Sequence, residues 1–138
     1  MVDALEEAHR VLAPGGILVD ARPDSRVLAC AERPKTAGAQ LFGRLMTNRT
    51  ELANDRASDA AVALVVRKGL FRRRRASRFW HRIPFDNLLG LLEYLREHLR
   101  FVHRAKWVVN VSTRRRHANE HFVIRRAVRW EILEALPR

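Results

Sequence analysis

Ala4, Leu5, Ala8, Val11 and Leu12 share one face of a helix predicted over residues 3–12, with Asp3 as its cap and Glu6 in the capping-box position. Pro14 cannot extend that helix, and Gly15 or Gly16 supplies the positive φ that ends it. Ile17–Ala21 follows as an apolar run. Next to a helix, such a run reads as a buried parallel strand. Arg22-Pro-Asp-Ser25 is turn chemistry, and residues 26–31 read as a second short strand. Pro34, Gly38 and Gly43 break up residues 33–54, which read as loop with a short hairpin. Asp55 or Ser58 starts a helix reaching Lys68, with Ala60, Ala61, Leu64 and Val65 as its apolar face and Gly69 as its stop. Residues 72–84 look extended, since Pro84 keeps Ile83 out of the helical region. Asp86 caps a third helix to Leu99, whose stripe Leu88, Leu92, Leu95, Leu99 is the clearest helical period in the chain. Trp107–Val111 favours a strand and residues 112–120 a polar loop. Residues 122–133 alternate as a bulged strand; a helix through Ile124, Val128, Ile132 and Leu136 is the alternative.

The chain of 138 residues has the size of one domain, and 47% apolar residues are enough for a globular core. The longest apolar runs fall far short of the roughly 20 residues that span a bilayer. The acidic, amphipathic start is not a signal peptide. A lone cysteine, Cys30, excludes an internal disulfide and suits a reducing compartment, so a cytoplasmic location is expected. The formal net charge of +12 is uneven. Residues 1–66 carry 8 basic and 9 acidic side chains; residues 67–138 carry 19 and 6. Residues 70–138 thus form a strongly basic half of one expected domain. Only Lys35, Lys68 and Lys106 are lysines. Arginine favours bidentate contact with phosphate or carboxylate, and a GC-rich genome also supplies it by default.

The segment Glu7-x-x-Arg10-Val11-Leu12-x-Pro14-Gly15-Gly16-x-Leu18-Val19 resembles a joint of class I S-adenosylmethionine-dependent methyltransferases. There it links the fourth helix to the fifth strand. The resemblance implies an α/β fold: a partial Rossmann-like sheet of the fifth to seventh strands, with an antiparallel pair, packed with about three helices. It also implies that the cofactor-binding half is not in this chain. That half needs a Gly-rich loop after a first strand and an acidic residue for the ribose hydroxyls; no G-x-G occurs here. No catalytic or cofactor-binding residue is carried over. S-adenosylmethionine would enter only with an upstream half, and the chain alone is expected not to bind it or transfer methyl groups. The strand at residues 17–21 is left with an open edge. A second copy, residues 26–31, or a partner bearing the missing half would cover it.

Three further constellations are candidates. Asp20, Arg22 and Asp24 lie near the carboxyl end of the first strand, where ligands of open α/β sheets bind, or else simply form its turn. Arg72, Arg73, Arg74, Arg75 and Arg78, followed by Trp80, and Arg114, Arg115 and Arg116 form basic clusters suited to nucleic acid or another polyanion. The bland alternative is a solvated strand and loop. His117 and His121, with Glu120, lack the order and third ligand of a zinc site, so no metal is expected. His98 and His103 suit the end of the third helix. Cys30, among apolar neighbours, reads as an inert thiol.

Overall fold

A computed structural model describes residues 1–99 and 105–137. The architecture is α/β: a mostly antiparallel, open six-stranded sheet with four helices among the described residues. The elements are α1 (Val2–Val11), β1 (Ile17–Pro23), β2 (Ala29–Lys35), β3 (Gly38–Leu45), α2 (Arg49–Arg67), β4 (Phe71–Phe85), α3 (Leu88–Tyr94), a π-helical turn (Leu95–Leu99), β5 (Ala105–Trp107), α4 (Val111–Arg116) and β6 (Phe122–Ala135). Strand order is β1-β6-β2-β3-β5, with β4 also on β6. Two compact units result.

The first unit comprises Met1–Asp24, Arg49–Phe79 and Val128–Arg138. Helices α1 and α2 pack together and bury Leu5, Ala61, Val62 and Val65 with Phe71, Leu133 and Ala135. β1 runs antiparallel to β6, from Ile17 opposite Glu134 to Pro23 opposite Val128. The expected buried parallel strand is therefore corrected. Only alternate side chains of β1 are sheltered: Leu18, Asp20 and Arg22 are partly buried, whereas Ile17 and Val19 are 53% and 60% exposed. Side chains alternate across a strand, so a helical layer on one face shelters every second residue.

Gly15 has φ +79° and ends the turn after α1, as its position in the sequence requires. The capping box is not formed: Met1 is the N-cap of α1 and no side chain caps it. Helix α2 begins at Arg49, before the expected Asp55, and buries Ala61, Val62 and Val65 while Ala60 is exposed. Interior Asp and Ser residues resemble starts because they favour caps, and packing of the amphipathic face overrides that preference.

The second unit comprises Ser25–Asn48 and Trp80–Ala127. Its core joins Ala31, Phe42 and Leu45 to Leu88, Leu91, Leu95, Phe122 and Ile124. The short hairpin expected within residues 33–54 is present and longer than expected, starting at Ala29: β2 and β3 pair antiparallel across Gly38, which has φ +100°. β2 also pairs with β6 through Cys30–Glu32 and Val123–Arg125, so residues 26–31 do not take up the open edge of β1. Asn87, not Asp86, caps α3, its Oδ1 accepting from Gly90 N at 2.9 Å. The expected polar loop at 112–120 begins as α4, capped by Asn110 Oδ1 accepting from Thr113 N at 2.8 Å. The strand reading of residues 122–133 holds, extended to Ala135. His103 lies outside the described residues; His98 stacks on Tyr94, with ring centres 4.7 Å apart.

The basic half of the sequence contributes to both units. The first holds 13 basic and 10 acidic residues, the second 14 and 5. Folding thus moves the charge excess away from the arginine run on β4 and concentrates it in the second unit.

Candidate functional site

The Pro14-Gly15-Gly16 turn is bound to the end of β6. Gly15 N donates to Ala135 O and Ala135 N donates to Gly16 O, both at 2.8 Å. A Cβ on Gly16 would lie 2.8 Å from Ala13 O, so that position has no room for a side chain. These contacts account for both glycines as structural residues. A cleft of about 330 Å³ beside the turn is lined by His9, Leu12, Pro14 and Leu136. Its one ionisable lining group, His9, already pairs through Nε2 with Leu136 O at 3.0 Å.

Asp20, Arg22 and Asp24 are brought near the carboxyl end of β1, and ion pairs occupy all three. Arg22 Nη2 lies 2.7 Å from Asp20 Oδ2, 3.3 Å from Glu131 Oε1 and 3.7 Å from Asp59 Oδ1. Arg129 pairs with Asp59 and Arg73 Nε donates to Glu131 Oε2 at 2.6 Å. Three arginines and three carboxylates therefore balance. The Asp20–Arg22 contact is an ion contact without hydrogen-bond alignment: Asp20 Oδ2, Arg22 Nε and Nη1, and Arg129 Nε are buried with no hydrogen-bond partner. Asp24 is fully buried at its side chain and accepts from Arg78 Nη2 at 2.6 Å and Nε at 3.1 Å. This end of β1 is a layer of internal ion pairs.

The same chemistry absorbs most of the arginine run. Arg72 and Arg74 both pair with Glu134, Arg73 with Glu131 and Arg78 with Asp24. Arg75 lies 5.6 Å from the Trp130 ring centre. Trp80, in the second unit, carries Arg125 over its ring at 4.2 Å, while Arg125 also pairs with the buried Glu32 at 2.9 Å. Sequence reading missed these acidic partners.

Arg114, Arg115 and Arg116 lie on α4 in the second unit, and none of the three has an ion pair among the described residues. Arg114 stacks over Trp107 at 4.7 Å. Nearby, His117 Nδ1 and Glu120 Oε1 are 2.7 Å apart, and Arg33 Nε donates to Glu120 Oε2 at 2.6 Å. The bond to His117 is the main cause holding the Glu120 carboxyl below its ordinary range. Among the described residues no His, Cys, Asp and Glu cluster could hold a metal ion. Burial, followed by the charge of Glu32, pushes the Cys30 thiol up, away from the thiolate. No described helix is long and apolar enough to cross a membrane. No protein-family model, curated protein or solved structure matches the chain.

Proposed function

We propose that this chain is a methyltransferase-like α/β element, similar to the fifth-to-seventh-strand part of a class I S-adenosylmethionine-dependent methyltransferase and without methyl-transfer activity by itself. One observation carries the reading. The helix, Pro14-Gly15-Gly16 turn and β1 are followed by a β6–β4 pair, and β6 runs antiparallel beside β1. The resemblance implies that neighbourhood for the fifth strand and the pair beside it. The residues present do not fit the cofactor. No Gly-rich phosphate- or methionine-type loop occurs, and Asp20 and Asp24 are tied to arginines and not presented to ribose hydroxyls. No methyl-transfer step is assigned to any residue. Titration calorimetry of the chain with S-adenosylmethionine is expected to give no heat of binding; saturable micromolar binding overturns the reading.

The partner implied is a complementing α/β half that adds a strand to β1. Among the described residues only β6 pairs with β1, and Ile17 and Val19 remain exposed on it. An apolar strand edge of this kind is a template for strand addition. Light scattering of the chain at rising concentration separates the cases: a monomer supports a heterologous half, and a dimer lost on Val19→Pro shows self-pairing instead.

A polyanion-binding role is the second reading, favoured by one observation, the run Arg114–Arg116, which has no ion pair among the described residues. The four paired arginines of β4 take no part in it. Filter binding across a salt series tests it. Binding that weakens steeply with salt and is lost on Arg115→Gln and Arg116→Gln supports it, and weak binding already flat at low salt ends it.

A further inference from the structure

The second unit contains an apolar groove with a cationic lip. Leu88 and Leu92 of α3 form one wall, and Val111, Arg114 and Arg115 of α4 form the other. The three α4 residues stand at i, i+3 and i+4, which puts them on one side of that helix. The space is about 230 Å³, room for a short acyl chain or a single ring.

The charge at the lip is available. Glu120, the acidic residue nearest in sequence, is engaged by His117 and Arg33. The guanidinium carbon of Arg114 lies over the Trp107 ring, 4.7 Å from its centre. A guanidinium held against an aromatic ring keeps its N–H groups for a planar acceptor, and a carboxylate accepts two parallel N–H bonds.

We propose that this groove binds a small organic acid with an apolar body, its hydrocarbon on Leu88, Leu92 and Val111 and its carboxylate at Arg114 and Arg115. The volume selects a medium-chain or single-ring acid. A nucleic acid fits less well. The lining is aliphatic apart from the two arginines, and Trp107, next to Arg114, is already covered by its guanidinium.

The test uses the full chain and sodium octanoate, followed by methyl chemical shifts and titration calorimetry. Saturable binding with a Kd of about 0.1–1 mM is expected for a ligand of this size, with shifts at Leu88, Leu92 and Val111. Octanol, with the same tail and no charge, is expected to bind about tenfold more weakly, as is octanoate to Arg115→Gln. Arg115 is exposed and has no ion pair among the described residues, so the variant keeps its fold, which circular dichroism checks. Arg114→Gln is a second variant with the same expected loss. Equal binding of octanol and octanoate, unchanged affinity in both variants, methyl shifts confined to other residues, or an oligonucleotide displacing octanoate at micromolar concentration would each overturn the proposal. So would an absence of saturation at about 10 mM.

Discussion

Glu131 is the residue on which the ion-pair layer of the first unit can be tested. Its carboxylate accepts from Arg22 Nη2 at 3.3 Å and from Arg73 Nε at 2.6 Å, and its side chain is 12% exposed. Glu131→Gln keeps the shape and one acceptor oxygen but removes the charge. The six groups Asp20, Arg22, Asp59, Arg73, Arg129 and Glu131 then change from neutral to +1. A charge-assisted bond to a well-buried arginine such as Arg22 contributes about 1.5–3 kcal/mol. The Arg73 contact contributes less than about 1 kcal/mol, because its guanidinium is half exposed and screened. Arg22 already has two buried nitrogens, Nε and Nη1, without an acceptor, so it has little means of replacing the lost carboxylate. The amide oxygen recovers part, leaving a net loss of about 2 kcal/mol. In a chain of this size that lowers Tm by about 6–8 °C. Arg73→Gln alone should cost less than about 1 kcal/mol, and the double variant should reveal a coupling of about 0.5–1 kcal/mol. Urea unfolding followed by circular dichroism measures all three. Glu7→Gln, which breaks the exposed pair with Arg10, serves as a control and should leave the midpoint unchanged. A Glu131→Gln midpoint within about 0.5 kcal/mol of the parent would refute the reasoning, as would an Arg73→Gln loss as large as that of Glu131→Gln.

Gly15→Ala should lower stability by about 1 kcal/mol, because φ +79° strains any residue with a Cβ even though open space surrounds the position; thermal unfolding reads the loss. Cys30 should react with a disulfide reagent far more slowly in the native chain than in urea. Its folded pKa is raised by burial, so its contribution to stability is full below the ordinary thiol value of about 8.5 and is lost as pH rises through the folded value; an alkaline unfolding series checks the sign. Glu120 should titrate below an ordinary glutamate in carbon-detected NMR, and His117→Ala should move it upward. Its depressed folded value means that its contribution is present above about 4.3 and is lost as pH falls through that folded value.

Much of the element order was legible because its signals are local. The helical period of leucines locates α3, although the buried ones are Leu88, Leu91 and Leu95 and the helix passes into the π-helical turn after Tyr94, and Gly15 and Gly69 end helices with the positive φ their positions require. The hairpin of β2 and β3 was harder to read. Pro34, Gly38 and Gly43 look like loop punctuation, yet cross-strand pairing carries the chain through them, and Gly43 is needed where Trp107 packs against it. Helix α4 was masked by its polar sequence, although Asn110 carries a cap signal three residues before the backbone N–H that it binds.

The arginine run shows why charge read along a sequence misplaces a candidate site. Arg72, Arg73 and Arg74 stand together with no acid beside them, so they read as a free cationic strand. Their partners Glu131 and Glu134 lie about sixty residues away, and only the β6–β4 pairing brings them near. In this chain, alternation along β6 places Glu131 among the sheltered ion pairs and Glu134 on the more open face. Each carboxylate then takes the arginines that reach its own side. Local charge density in a strand therefore measures availability only after its neighbour is known. Helix α4 differs for the same reason: its three arginines belong to a short helix whose nearest acid in sequence, Glu120, is already engaged twice. A cation with no ion pair among the described residues is open to an external anion, and the apolar groove beside Arg114 and Arg115 favours one with an apolar body.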